Sequence, residues 1–456
     1  MAQDLSYVII SGGTGANAIA SAFGADPAFV LPVSDDGGSS SEILRCFGGP
    51  SIGDIRSRLT RLIPLAETAS TREEKERSAI YELLAYRFPD DAGEKVVREI
   101  WGEIVEGRSS LWKDIGDDKK ECIRAFLVHF NALTLKRAHK RFSFRNFSLG
   151  NGFLTGARDM FGSLPSAIFL FKSVASVAPD THVIPVINTN QTVTIAAELE
   201  DGETIVGQCA ISHPTEPAAV RGAGVGQSGS AQRTHFRRDS RTFDTLPIPL
   251  GLGGGIGEET SPKLESVQEV GGEQGGNLGY RKGAEEVPLE SPVKRVFYIN
   301  LYGQQEIFPQ PNPSYLESLK TRDVLVYSCG SIWTSIAPCL SLRGLGEAVA
   351  RSTSLKAKVL LLNSKNDRES PDYLASDYVK AISNSLTHHS TRKLDTSSLI
   401  THVVYLEGSA VEVDEDDLRV VETIMIPRAT HGFAEDQMPL FTPESVSAAM
   451  GLIFGE

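Results

Sequence analysis

The sequence predicts an α/β protein built on a doubly wound, mostly parallel Rossmann-like sheet, with helices on both faces and a helical extension. Three observations carry that prediction. The chain opens with an apolar run at 7–10, a glycine-rich turn, a helical pattern through Phe23 and a second apolar run at 29–33, the order of a parallel βαβ unit. Apolar runs and helical stretches alternate again after residue 293. The composition, 41% hydrophobic and 23% charged over 456 residues, is that of a globular protein and excludes collagen, coiled coil and wholesale disorder.

The elements follow in order. Charged, periodic stretches at 71–88 and 119–140 read as solvent-facing amphipathic helices, giving a helical region over about 71–140. Strands are expected at 182–187 and 193–199. Residues 221–290 then hold 15 of the 42 glycines, mixed with Ser, Pro, Gln and charge. That leaves too little apolar surface to offset ordering entropy, so 214–292 reads as a disordered insertion. It divides one α/β domain into a first part, 1–213, and a second, 293–456, because βα alternation resumes directly after it. The second part shows strands at 296–301, 324–327, 358–362, 403–406 and 423–426. Its helices fall at 313–320, 347–352, 372–387 and from Pro443.

Charge and special residues narrow the function. A net charge of −13 offers no excess of cations to displace DNA or RNA counterions, so nucleic acid is not an expected partner. Cys46, Cys122, Cys209, Cys329 and Cys339 are odd in number and widely spaced, which argues against a disulfide framework and a structural zinc. The nine histidines, His388, His389 and His431 among them, show no ligand spacing. No basic and then apolar leader opens the chain, and no apolar run reaches membrane-spanning length. The expected setting is cytoplasmic, with no membrane partner.

Chemistry is concentrated in a few segments. Gly12-Gly13-Thr14-Gly15 sits between strand and helix, where glycine amides approach a phosphate closely; a turn needing glycine only for its backbone is the alternative. It is neither a Walker A loop nor a GxGxxG. Asp35-Asp36-Gly-Gly followed by Ser39, Ser40 and Ser41 suits a divalent ion with phosphate oxygens, or one ribose contact in a dinucleotide fold, or a polar turn capping a helix. Gly53-Asp54-Ile-Arg56 places an acid and a guanidinium at a helix start, where Asp54 could also be an N-cap. Asn146 through Asn151, Ser328 through Ser335 (with Gly330, Ser331 and Thr334), and Asn363 through Arg368 and Glu369 are expected to share one position, at the end of a strand. Ligands of open α/β sheets bind there.

With these residues laid out, the chain resembles the CofD/YvcK superfamily, as a eukaryotic member. The resemblance rests on Gly-Gly-Thr-Gly (12–15), Asp-Asp-Gly-Gly-Ser-Ser (35–40), Gly-Asp-Ile-Arg (53–56), Gly-Asn (150–151), Gly-Ser-Ile-Trp-Thr-Ser (330–335) and the loop 363–370, and covers both halves of the chain outside 214–292. Departures are Ser41 where glycine is usual, Ser51-Ile52 in place of Pro-Pro, and Ser328-Cys329-Gly-Ser in place of Gly-Pro-Gly-Ser. That superfamily joins 2-phospho-L-lactate transferases to YvcK-type proteins that bind UDP-sugars and influence carbon use.

The resemblance implies a nucleotide or nucleotide-sugar ligand held with Mg²⁺ or another divalent cation. Gly12, Gly13, Thr14, Gly15, Gly330 and Ser331 would hold phosphates, with Ser39, Ser40, Thr334, Ser335 and Asn363 completing the nucleotide set. Asp35, Asp36 and Asp54 would position the cation, and Arg56 or Arg368 would neutralise the ligand. Asn146 or Asn151 would touch the sugar or transferred group. If the protein is an enzyme, Asp36, Asp54 and Arg56 would serve the attack of an acceptor hydroxyl on a diphosphate-linked donor. The other readings are a noncatalytic UDP-sugar-binding regulator, an NAD(P)-dependent dehydrogenase, and a carrier whose insertion 214–292, with its basic island at 233–241, docks other proteins. Superfamily precedent is compatible with a homodimer.

Overall fold

The computed structural model describes residues 5–13, 15–213, 287–300, 305–390, 392–434 and 437–455. Thr14 and most of the insertion, 214–286, lie outside them. The first half contains β1 (Tyr7–Ile10), β2 (Pro27–Leu31), α1 (Gly38–Phe47), α2 (Gly53–Arg61), α3 (Arg72–Ala85), α4 (Glu94–Val105), α5 (Asp117–Lys136), α6 (Leu149–Phe161), α7 (Leu164–Val174), β3 (His182–Pro185), β4 (Thr194–Leu199), β5 (Thr204–Val206) and α8 (Gln208–Ser212). The second half contains β6 (Val293–Asn300), β7 (Gln305–Ile307), α9 (Pro313–Thr321), β8 (Val324–Tyr327), α10 (Ala337–Leu340), α11 (Leu345–Arg351), β9 (Ala357–Leu361), α12 (Ala375–Thr387), α13 (Thr396–Leu399), β10 (His402–Leu406), β11 (Glu422–Ile426), β12 (Gly432–Phe433), β13 (Pro439–Leu440) and α14 (Pro443–Phe454).

Seven strands form an all-parallel sheet in the order β11-β10-β9-β8-β1-β2-β3. Four inner strands, β9, β8, β1 and β2, with sequences such as Tyr-Val-Ile-Ile and Val-Leu-Val-Tyr, are buried throughout, as strands covered on both faces must be. Val8 and Ile10 enter the larger core with the helices of one face, and Tyr7 and Ile9 enter a smaller core on the other. That is the alternation of a pleated strand. Phe23 and Met450, from a 3-10 turn and from α14, cover the smaller side. The chain winds from β1 outward to β3 and then returns to lay β8 against the free side of β1. The β1/β8 boundary is therefore the switch point at which a crevice opens beyond the strands' carboxyl ends.

Two expectations need correction. The segment after the first glycine turn is not an α-helix: it is a turn followed by a 3-10 helix, Ala20–Phe23. The Ala16 carbonyl accepts from Arg58 Nη1 (2.9 Å) and the Asn17 carbonyl from Arg61 Nε (2.9 Å), so α2 takes up acceptors that an α-helix would use. The strands at 193–199 and 296–301 do not continue the parallel sheet. β4 and β6 pair antiparallel in a separate four-stranded sheet, β5-β4-β6-β7.

The helical region packs onto this frame through aromatic rings. Trp101 stacks on Phe144 with centroids 4.7 Å apart, and Phe130 on Phe147 at 5.4 Å. Phe88 and Phe142 complete the cluster. Such pairs add to the burial of large apolar area, and here they fix the 142–147 segment that runs into α6.

Candidate functional site

The glycine turn after β1 and the turn after β8 meet at the switch point. A Cβ on Gly15 would stand 2.8 Å from the Cys329 carbonyl oxygen, and one on Gly12 would stand 2.8 Å from Ser335 Cβ. Only glycine permits that approach. Gly330 has φ +142°. Its N–H donates to Asn363 Oδ1 (2.8 Å) and its carbonyl accepts from Asn363 Nδ2 (2.9 Å), so Asn363 clamps the turn from the end of β9. Beyond Ser331 the chain forms a π-turn, Ile332–Ile336. Glu369, 1% exposed, accepts from the N–H groups of Trp333 (3.1 Å) and Thr334 (3.0 Å) and from the Thr334 hydroxyl. Burial, aided by Asp367, pushes Glu369 up to about 8 despite those three bonds.

Asp35 and Asp54 converge between the first glycine turn and the loop after β2. A Cβ on Gly13 would stand 2.8 Å from Asp54 Cα, and one on Gly53 would lie 2.6 Å from Asp35 Oδ2. Asp35 also accepts from Gly37 N–H (3.0 Å) and the Ser40 hydroxyl (3.2 Å). Burial, followed for Asp54 by the charge of Asp35 itself, lifts both carboxyls well above the usual range. Two crowded acids that resist joint ionisation, with oxygen donors around them, fit a hard divalent cation. Asp36 turns elsewhere. Its Oδ1 accepts from Cys209 N–H at the start of α8 (2.7 Å), and burial raises it as well.

The remaining candidates divide. Ser39 Oγ accepts from Ser148 N–H (3.2 Å) and Asn151 Nδ2 (3.0 Å), which brings α6 to the site. Contrary to expectation, the 146–151 segment does not follow a strand; it is held by a bridge between Arg87 and Ser148. Asn146, at φ +54°, accepts from Arg87 through its Oδ1 (3.1 Å). Arg56 stands beside Asp54, its Cγ 3.0 Å from where a Gly150 Cβ would be. Arg368 spends its guanidinium on backbone, donating to the Ile211 carbonyl (3.2 Å) and the Val287 carbonyl.

Sequence reasoning passed over several residues. Arg58 is wholly buried, donates to Ser11 Oγ (3.1 Å) and the Ala16 carbonyl (2.9 Å), and lies 4.5 Å from the Phe29 ring centroid. It grips both ends of the first glycine turn. Its i,i+4 spacing from Asp54 on α2 was the available signal. Ser34 was passed over too; it and two members of the expected 146–151 segment, Ser148 and Asn151, each 1% exposed or less, carry buried oxygens without a hydrogen-bond partner. The alternative clusters lie elsewhere. Glu306, His388 and His389 approach within 4.8 Å, but Arg295 already donates to Glu306 and contacts His388. His431 follows β11, the far edge strand. A 360 Å³ cleft along β3, lined by Phe169, Lys172 and His182, contains none of the motif residues. No helix among the described residues is long and apolar enough to cross a membrane.

Comparison with known proteins gives consistent matches. Residues 7–425 match the family model of 2-phospho-L-lactate transferase CofD. The chain is 36% identical over 434 residues to the uncharacterized protein YNL011C of Saccharomyces cerevisiae, covering 90% of this chain and 92% of that one. A stretch of 67 residues is 37% identical to the gluconeogenesis factor of Halalkalibacterium halodurans, 15% of this chain and 20% of that protein. A crystal structure of a UPF0052 family protein from Bacillus halodurans superposes with a TM-score of 0.57 at 19% identity. It covers 98% of this chain and 99% of its own.

Proposed function

Because the chain belongs to the CofD family, we propose that it binds a nucleoside-diphosphate-linked ligand with a divalent cation at the β1/β8 switch point and transfers a phospho-substituted group to an acceptor hydroxyl. One observation supports this most: two glycine turns close on each other beside an Asp35–Asp54 pair whose carboxyls burial holds above their usual range, the charge of Asp35 adding to it at Asp54. The turns offer backbone amides to the diphosphate. A cation held by Asp35 and Asp54, Mg²⁺ by family precedent, would supply charge neutralisation at the leaving nucleotide. Asn363 and Glu369 hold the second turn in place, and Arg58 holds the first. Arg56 lies next to the reacting region and is available to the ligand's charge. In the transfer, the acceptor oxygen forms a bond to the donor phosphorus, the bond to the leaving nucleotide breaks, and the acceptor's proton passes to a base.

The stretch shared with the gluconeogenesis factor favours a second reading, a noncatalytic UDP-sugar binder. A thermal-shift panel of UDP-N-acetylglucosamine, UDP-glucose, GDP, GTP and NAD⁺, each with and without Mg²⁺, tests both. Saturation at about 100 times Kd adds about 2.7 kcal/mol. A Mg²⁺-dependent response to GDP or GTP supports the transferase, and a UDP-sugar response without turnover supports the binder. Silence across the panel overturns the nucleotide site. In Asp35→Asn/Asp54→Asn the Mg²⁺ dependence should vanish while the ligand-free protein stays folded. Retained Mg²⁺ dependence would exclude this pair as the cation's holder.

A further inference from the structure

The short helix α8 lies across the mouth of the crevice, tied at its two ends to loops on opposite sides of it. At its start, Asp36 Oδ1 accepts from Cys209 N–H (2.7 Å), and Asp36 belongs to the loop after β2. At its end, the Ile211 carbonyl accepts from Arg368 Nε (3.2 Å), and Arg368 belongs to the loop after β9. β2 and β9 flank β1 and β8 in the sheet, so a line between the two ties passes over the switch point. Three strand spacings make that span about 14 Å. The helix, Gln208–Ser212, supplies about 7.5 Å of it, and the Asp and Arg side chains reach the rest. Between the ties, α8 packs on the π-turn that follows β8.

A hinge stands beside the first tie. Gly207, which precedes α8, has φ +95°, and a Cβ there would stand 2.5 Å from Asp36 Oδ2. Only glycine combines that backbone with that approach. Of the residues of α8 itself only Ile211 is buried, so lifting the helix exposes little apolar surface. Gly12 and Gly13 of the first turn, by contrast, are buried. We propose that α8 is a strap over the β1/β8 crevice, which unfastens at Asp36 and Arg368 to let the nucleotide-linked ligand pass and so sets how fast that ligand exchanges. Closing segments of this kind gate many enzymes. The inference rests on the reading of the crevice as the ligand's site.

The test locks the strap and then frees it. A Cβ on Gly37 would stand 3.9 Å from Cys209 Sγ, near enough for Gly37→Cys to pair with Cys209 after a small shift, and Gly37 has an ordinary φ of −91°. Association of whichever of UDP or GDP binds is followed by stopped flow on the full chain with Mg²⁺. It should be about tenfold or more slower in the oxidised Gly37→Cys protein than after reduction. Gly37→Cys/Cys209→Ser should show no such difference. Equal association in the oxidised and reduced forms overturns the strap. Arg368→Ala releases the other end and should speed association several-fold, and an unchanged or slower rate overturns the strap as well. Either variant decides alone if the other does not fold or does not form its disulfide. If neither nucleotide binds wild type, the diphosphate reading fails by itself. Hydrogen exchange of the ligand-free protein then decides the strap: Arg368→Ala should raise exchange at the Cys209 N–H by about tenfold, and equal protection removes it.

Discussion

Arg58 shows how much one side chain decides at this site. It is wholly buried, and burial lowers its pKa to about 10 although Asp54 counteracts that. What keeps a charge there is geometry: bonds to Ser11 Oγ and the Ala16 carbonyl, and the face of Phe29. Arg58→Ala removes all three and leaves a cavity, so it should cost about 3 kcal/mol in chemical denaturation. Arg58→Lys, which can reach one acceptor but not fork to two, should fall between. A loss near zero for Arg58→Ala would mean that the first turn is held by other contacts. The sequence pointed to Asp54 and Arg56 because their spacing at a helix start is visible. Arg58 was passed over as a site residue, because its i,i+4 spacing from Asp54 is only a weak sign of which of the three arginines on α2 turns inward. Arg368 illustrates the converse, since a loop arginine looks like a ligand contact until its carbonyl partners are seen.

At the scale of elements, Glu369 ties the 363–370 loop to the π-turn Ile332–Ile336 and so sets the shape of the second glycine turn. π-turns commonly sit at functional sites, and this one is pinned by a carboxyl raised to about 8, chiefly by burial. For a raised carboxyl the native state holds its proton more tightly than the unfolded chain. The contribution is complete below about 4.5 and is lost as pH rises towards about 8. Glu369→Gln stays neutral and keeps an acceptor for the two N–H groups. Its melting temperature relative to wild type should therefore climb between pH 5 and pH 9, and a pH-independent difference would show that Glu369 is ionised throughout. The parallel strands were legible as short, mostly apolar runs bounded by turns, and most were placed to within a residue or two. The helix expected after Gly15 was not, because its carbonyls are taken by arginines 40 or more residues away. The antiparallel pairing of β4 with β6 was likewise hidden, since alternation along a strand does not reveal its partner.

At the scale of the whole molecule, the two halves of the chain interlock, with β8 of the second half beside β1 of the first. That order makes the site a product of both halves. Its existence was legible from loops recurring at strand ends, while the meeting of Gly15 with Cys329 required the topology. The root of the 214–286 segment lies at the rim of this site. Arg368 donates to the carbonyl of Ile211 before it and to that of Val287 after it, and Leu289 N–H donates back to the Arg368 carbonyl (3.4 Å). Two acceptors of a single guanidinium lie within one side chain's fork, so the described chain ends are already close. A short Gly-Ser linker in place of residues 216–284 can therefore span them, and loop-closure entropy changes by only about 0.6 kcal/mol for each doubling of length. The shortened protein should melt within a few degrees of the full chain and bind the same nucleotide with the same Mg²⁺ dependence. If binding is lost while the melting temperature holds, the segment contributes directly to the ligand, and the site is not complete in the two halves alone. If both are lost, the clasp at Arg368 does not suffice to hold α8 and the strand that follows it, and Arg368→Ala in the full chain should then reproduce the drop in melting temperature.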